Sequence, residues 1–86
     1  MSDLLARSAV DLRAMLARRE MSARDLTQAT LARIDAVNPA LNAVVARDDG
    51  AALKAADAAD ARFARGDARP LEGLPITLKD AWEVAP

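Results

Sequence analysis

Alanine content sets the tightest limit on how this chain can fold. The sequence has 86 residues, of which 52% are hydrophobic, and 22 of those hydrophobic residues are alanine. A methyl-sized side chain buries little area, and a chain of this length buries only roughly 60–65% of its unfolded surface. We therefore expect a thin core that is marginally stable as an independent unit.

The residue types that are absent narrow the possible chemistry. The sequence has no histidine and no cysteine, which excludes a Ser–His–Asp triad, a Cys–His pair, a zinc finger and any disulfide within this chain. There are 12 basic and 13 acidic residues, so the basic surplus typical of nucleic-acid binding is missing. No apolar run approaches the ~20 residues of a membrane span, and the first residues do not resemble a signal peptide. We expect a cytoplasmic protein.

Cap and stop signals predict the first two helices. Ser8 and Ser22 each precede an aspartate by three residues, which is a pattern typical of helix starts. The predicted helices span about 9–19 and 23–37, and Asn38-Pro39 is expected to end the second, because the residue before a proline avoids the α region. The apolar face of the second helix comprises Leu26, Thr30, Ile34 and Val37, with Leu31 beside it.

The rest of the chain reads as strand, helix and strand. Alternating residues predict short strands at about 41–46 and 74–79. Between them, Asp48-Asp49 can cap a third helix over 49–65, which Gly66 closes. This order indicates an α/β protein. Two strands do not make an independently stable sheet, so the fold is expected to be incomplete in this chain.

Lys79 is the candidate reactive residue. It lies at the carboxyl end of a predicted strand, where open α/β sheets place ligand and catalytic groups, whereas Lys54 is an ordinary helix charge. From spacing alone, a lysine exposed to solvent is the commoner arrangement. Asp80 is either an orienting group or a structural turn residue. Because neighbouring strand residues point to opposite faces, the structural role is favoured.

The segment around Lys79 resembles a family motif. Gly73-Leu74-Pro75-Ile76-Thr77-Leu78-Lys79-Asp80 is similar to the Gly-(Ile/Leu)-Pro-(Ile/Val)-x-(Val/Leu)-Lys-Asp segment of the amidase signature family. Each motif alone is weak, but five in register make the resemblance strong, and it extends from residue 8 to about 84. The upstream motifs are Ser8–Leu12, Ser22–Thr27, Arg33–Ala43 and Ala58–Arg62.

The resemblance implies a function and a larger fold. Residues 1–86 would be the N-terminal helices and first strands of a mixed-sheet α/β/α domain. That domain would hydrolyse amides with two serines and a lysine, without metal or cofactor, and Lys79 would be the general base, with Asp80 as a supporting or structural residue. The family's Gly/Ser-rich segment, which carries both serines, is absent from this sequence. The isolated chain is therefore expected to be inactive.

The expected partners follow from the same resemblance, whereas two of the alternatives follow from the helices and the charge. A small-molecule amide is the expected substrate, and the remainder of the fold or a second copy is the expected partner, with no nucleic acid or membrane. Subunits of tRNA-dependent amidotransferases resemble this region too. A small helical interaction module without catalysis also fits the alanine-rich helices. A helix-turn-helix DNA-binding protein fits least well, because the net charge is −1.

Overall fold

The computed structural model describes residues 5–44 and 46–76, and within them the regular structure is helical. Helix α1 spans Ala9–Ala17, α2 spans Ala23–Leu41 and α3 spans Asp49–Arg65. All three contribute to one small core, which is half alanine, as the composition led us to expect. Its buried members are Leu12, Leu16, Ala23, Leu26, Ala56 and Ala59. No helix in the described ranges is long and apolar enough to cross a bilayer.

Helix α1 ends two residues before the predicted position. Its last residue is Ala17, and Arg19 takes a left-handed φ of 61°. The N–H groups of Arg19 and Glu20 donate back to the carbonyl oxygens of Leu16 and Met15, at 3.1 and 3.0 Å. This pair of hydrogen bonds is a Schellman motif, which terminates a helix. The sequence did not predict this end because the left-handed residue of such a motif is usually glycine, whereas here it is Arg19.

Helix α2 continues beyond its predicted end. The prediction that Asn38-Pro39 stops the helix is wrong, because α2 reaches Leu41 with Pro39 inside it. A proline in the last turn removes one N–H, whose helical acceptor would be the carbonyl of Asp35. Asp35 is exposed, so water can satisfy that carbonyl. The lost hydrogen bond is therefore tolerated at this end of the helix.

The strand predicted at 41–46 does not form in the described residues. Leu41 is the last residue of α2, and 42–44 and 46 have no regular structure. The Asn38 side chain donates to the carbonyl of Val44 at 2.8 Å and accepts its N–H at 2.9 Å. Those are the backbone groups that a strand would offer to a neighbour. Residues 74–76 of the second predicted strand are also irregular, and 77–79 lie outside the described residues.

Helix α3 occupies the predicted residues and uses the predicted caps. The Asp48 carboxylate accepts the N–H of Ala51 at 3.0 Å, and Gly66 ends the helix with a left-handed φ of 78°. Its buried side toward α2 contains Ala56 and Ala59. Such small side chains let the two helices approach closely, so α3 contributes contact without much buried area. The larger sheet implied by the resemblance stays a prediction.

Candidate functional site

The residues predicted to carry the chemistry, Lys79 and Asp80, lie outside the described part of the chain. Their roles therefore remain predictions. The structure does describe the start of their motif, residues 73–76, and the turn that precedes it. We call residues 69–76 the turn segment. Contacts from all three helices hold this segment, and a separate contact joins α3 to the start of α2.

Gly73 is the point where the motif meets the core. Its φ is 82°, in the left-handed region that favours glycine. A Cβ placed on it would lie 3.0 Å from Leu16 Cδ1, 3.1 Å from Ala23 Cβ and 3.3 Å from Phe63 Cε2. These three neighbours belong to α1, α2 and α3 respectively. Glycine is therefore needed both for its conformation and for its size, and it fixes the start of the motif against all three helices.

Glu72 anchors the turn segment through a buried carboxylate. Its side chain is only 7% exposed, yet it receives two hydrogen bonds from the Arg69 guanidinium, at 2.9 and 3.1 Å. Arg62 of α3 adds a longer ion contact of 3.5 Å. The hydrogen bond from Arg69 is the main reason that the pKa of Glu72 falls below its usual value, and it raises the pKa of Arg69 in turn. The contact with Arg69 therefore favours the ionised form of the Glu72 carboxyl group in the fold.

Arg13 connects α1 to the same segment. Its Nε donates to the carbonyl of Pro70 at 3.1 Å, and its Nη2 donates to the carbonyl of Arg69 at 3.2 Å. The guanidinium also lies 4.9 Å from the centroid of the Phe63 ring, within the range of a cation–π contact. One side chain thus holds backbone of the turn segment and a ring of α3 at once.

The start of α2 is held by a carboxylate from α3. Asp60 accepts the N–H of Ala23 at 2.6 Å and that of Arg24 at 3.2 Å. The predicted cap also forms, since Ser22 Oγ accepts the N–H of Asp25 at 2.9 Å and Asp25 accepts that of Ser22 at 3.4 Å. All four free N–H groups at this helix start have acceptors, which is the requirement that helix ends impose. We call the two hydrogen bonds from Ala23 and Arg24 to Asp60 the Asp60 clamp.

The Asp60 clamp was not predicted from the pattern of residues, because its partners are 36 and 37 positions apart. The segments that resemble the family nevertheless contained a signal for this contact. Asp60 lies in Ala58–Arg62 and its partners lie in Ser22–Thr27, two of the segments that resemble the family. Arg62 of the first segment reaches Glu72, next to the Gly73 motif. Two of the motif segments are thus hydrogen-bonded to each other, and one of them also contacts the residue before the Gly73 motif.

An apolar groove runs along one side of the turn segment. Its volume is about 880 Å³, and we call it the open groove. The turn segment forms one wall, and the helices supply the others. From α2 the lining residues are Thr27, Thr30, Leu31 and Ile34, and from α3 they are Ala52, Ala55, Ala56 and Ala59.

Among the described residues, no cluster of three acidic side chains is arranged to hold a metal ion.

Comparison with known families agrees with the motif and its scaffold. The family model described as Amidase matches residues 25–86. This range contains most of α2, all of α3, the turn segment and the complete Lys79 motif. The chain belongs to the amidase family, which confirms the resemblance drawn from the sequence.

Several similar curated proteins carry the same name, the A subunit of glutamyl-tRNA(Gln) amidotransferase. The chain is 52% identical to that subunit from Acidothermus cellulolyticus over 83 residues, which is 95% of this chain and 16% of the relative. It is 49% identical to the Alkalilimnicola ehrlichii subunit over 76 residues, 88% of this chain and 16% of the relative. The Geobacter metallireducens subunit is 49% identical over 72 residues, 84% of this chain and 15% of the relative.

The length of these relatives limits what the likeness transfers. This chain spans about one sixth of the curated proteins it matches. No solved structure matches it significantly. The family is therefore shown, whereas an activity that depends on the whole protein requires a proposal.

Proposed function

We propose that this chain is the lysine-bearing N-terminal part of an amidase domain of the kind found in the A subunit of glutamyl-tRNA(Gln) amidotransferase. The observation that carries the proposal is the 52% identity to such a protein over 95% of the chain. The other relatives described above share that name. This choice favours the amidotransferase alternative over an amidase of unspecified substrate, while both rest on the same amide chemistry.

In this proposal Lys79 is the general base for amide cleavage, by resemblance to the family. A lysine accepts a proton only when neutral, and at its reference pKa of about 10.4 only about one in 2,500 is neutral at pH 7. Lowering the pKa to about 7 requires about 4.6 kcal/mol of bias against the charged form. Burial supplies shifts of this size. Lys79 therefore needs a desolvated site, and the nucleophilic serine must come from outside this sequence.

The described scaffold supports this role by fixing where the motif begins. Gly73 is held against three helices, and six residues of chain extend at most about 20 Å. Lys79 is therefore tethered within that distance of the core. Because the Glu72–Arg69 pair and Arg13 hold the preceding turn, the tether has a defined origin.

The experiment is a chimera in which residues 1–86 replace the matching segment of the Acidothermus cellulolyticus protein, assembled with that enzyme's other subunits. The two lysines of the chain provide a matched pair, because Lys54 is exposed on α3. Lys79→Ala and Lys79→Arg should lower amide transfer to glutamyl-tRNA(Gln), and ammonia release from primary carboxamides such as glutamine, by at least about 100-fold. Lys54→Ala should stay within about twofold of the unmodified chimera.

Two results would count against the proposal. If Lys79→Ala kept full activity, Lys79 would not be the base. If the chimera released ammonia from carboxamides but did not modify the tRNA, the broader amidase interpretation would replace the amidotransferase one. The arginine variant separates charge from basicity, because arginine keeps the positive charge but does not deprotonate in proteins.

A further inference from the structure

Arg13 uses its guanidinium differently from the arginines that form ion pairs in this structure. Six arginines pair with carboxylates, namely Arg18, Arg24, Arg47, Arg62, Arg65 and Arg69. Arg13 forms no such pair in the described part of the chain, and it donates instead to two backbone carbonyls. Its contribution there is to hold backbone in place.

The turn segment contains two overlapping turns. The N–H of Glu72 donates to the carbonyl of Arg69 at 3.0 Å, and the N–H of Leu74 donates to that of Leu71 at 3.2 Å. These bonds leave the carbonyl of Pro70, in the middle of the first turn, without a backbone donor among the described residues. Its donor comes from another element.

Arg13 supplies that donor from α1. Its Nε donates to the Pro70 carbonyl at 3.1 Å, and its Nη2 donates to the Arg69 carbonyl at 3.2 Å. The guanidinium nitrogens lie in one rigid plane, so bonds to two successive carbonyls fix the orientation of the turn as well as its distance from α1. Lysine carries a single nitrogen on a flexible stem and does not reproduce this geometry.

Helix α1 lies outside the region that the family model matches. The match begins at residue 25, whereas α1 spans Ala9–Ala17. Arg13 nevertheless reaches the segment that leads into the family motif, across 57 and 56 positions of sequence. Leu16 of the same helix lies beside Gly73, the first residue of that motif. The helix is therefore joined to the start of the motif by packing and by hydrogen bonds.

The contacts of the turn segment shorten the free chain before Lys79. Helix α3 ends at Arg65, and the 14 residue steps from there to Lys79 extend at most about 50 Å. Leu74 packs against the core, and only five residue steps, at most about 18 Å, separate it from Lys79. The turn segment therefore sets where the motif starts, and Arg13 orients that segment.

We propose that Arg13 is a positioning residue of the amidase domain, which acts through the turn segment on the placement of Lys79. The inference rests on the proposed role of Lys79 as the general base. A base acts only within hydrogen-bond reach of its proton, and misplacement of a catalytic group by about 1 Å lowers a rate by up to about 100-fold. Helix α1 is then part of the catalytic unit, although the matched region begins after it.

The first measurement needs no catalytic activity. Amide hydrogen exchange is followed at Glu72 and Leu74, whose N–H groups close the two turns, by NMR in the 86-residue chain and by mass spectrometry in the chimera. In Arg13→Ala these groups should exchange at least about tenfold faster, because two charge-assisted hydrogen bonds no longer oppose local opening. Amides within α2 and α3 should stay within about twofold of their original rates.

The matched control is Arg18→Ala. Arg18 is an exposed arginine at the end of α1, and its side chain bonds Glu20 at 2.9 Å. This variant removes the same guanidinium without touching the turn segment, so exchange at Glu72 and Leu74 should not change. Arg13→Lys keeps the positive charge but loses the pair of hydrogen bonds, so it should exchange like Arg13→Ala.

The second measurement is the steady-state release of ammonia from glutamine by the chimera. Arg13→Ala and Arg13→Lys should lower kcat about 10- to 100-fold, whereas KM should stay within about threefold, because Arg13 acts on the base and not on the substrate. Guanidinium added at millimolar concentration should restore part of the kcat of Arg13→Ala, since it supplies the missing donors. It should restore nothing to Lys79→Ala, which lacks the base itself.

Two results would overturn the positioning role. Faster exchange throughout α2 and α3 in Arg13→Ala would show that Arg13 contributes only general stability. An unchanged kcat in the folded chimera would show that the turn segment does not place the motif. Failure of the base assignment is distinguishable, because Lys79→Ala would then keep full activity while exchange at the two turns still reports whether Arg13 holds them.

Discussion

The two halves of α2 have contrasting surroundings. At its start, the Asp60 clamp and the Ser22–Asp25 cap satisfy the free N–H groups. Ala23 and Leu26 have no exposed surface there. Two turns later, Leu31 and Ile34 lie half-buried along the open groove. The apolar face is continuous in the sequence, but only its first half is covered. The apolar pattern of a helix therefore predicts which side can be buried. It does not predict how much of that side another element covers.

The two regions also differ in the size of their side chains. We call the surroundings of Ala23 and Leu26 at the start of α2, together with Gly73, the closed region. There Ala23 and Gly73 are so close that no room is left for a Cβ on the glycine. The groove instead carries Leu71 and Ile76, which have large surfaces without neighbours. In the isolated chain, we therefore expect substitutions to be costly in the closed region and nearly neutral in the groove. The following predictions test the costly side of that contrast, from the largest expected effect to the smallest.

Gly73→Ala should have the largest effect on stability. The new Cβ would contact Leu16, Ala23 and Phe63 at 3.0–3.3 Å, and the left-handed φ of 82° disfavours alanine. Overpacking and backbone strain together should cost about 2–4 kcal/mol, measured by urea unfolding followed by circular dichroism at 222 nm. Gly66→Ala is the control, because Gly66 has a similar φ of 78° but nothing within 4 Å of the added atom.

Gly66→Ala should cost only about 1 kcal/mol, the penalty for the backbone conformation alone. The difference between the two variants then measures the packing at Gly73. Equal losses for both variants would show that Gly73 is needed only for its conformation. In that case the three helices would not be the element that fixes the start of the motif.

Asp60→Ala should have the next largest effect. It removes the charged acceptor of two backbone N–H groups at the start of α2, which should cost about 1.5–3 kcal/mol. Asp57→Ala, one turn earlier on α3, removes an exposed ion pair with Arg24 of 2.8 Å. That pair should be worth less than about 1 kcal/mol. A matching loss in urea midpoint for the two variants would refute the clamp.

Glu72→Gln should have the smallest effect, and its signature is pH dependence. The pKa of Glu72 is lowered from its usual value near 4.5, chiefly by the hydrogen bond from Arg69. Its contribution is therefore present above that value and is lost as the pH falls through the native pKa. The wild-type chain should exceed Glu72→Gln in urea midpoint at pH 7, and this difference should vanish in acid. A constant difference from pH 7 to 3 would contradict it.

Helix starts could be predicted from the sequence, but several ends could not. Ser22 and Asp48 form the expected caps because a cap depends on residues within one turn. The ends of α1 and α2 were predicted wrongly, at Arg19 and at Pro39 respectively. In the first case a non-glycine residue adopts the left-handed conformation, and in the second an exposed carbonyl tolerates a missing donor. The second outcome depends on solvent access, which local pattern does not reveal.

Contacts distant in sequence were the other limit. The Asp60 clamp joins residues about 37 positions apart, and no local spacing rule identifies such a pair. The strand at 41–46 was predicted from alternation, but Asn38 takes up the backbone groups of Val44. The family motif around Lys79 was recognised because a short segment carried it. Its first residue, Gly73, is also the one whose requirement the structure explains in physical terms.

The Asp60 clamp also bears on the order of events during synthesis of the chain. Ala23 and Arg24 are translated long before Asp60, which supplies the acceptor for their N–H groups. Until that aspartate has emerged from the ribosome, the start of α2 has only the local Ser22–Asp25 cap. The start of the nascent α2 is therefore expected to fray until α3 has been synthesised and packs against it.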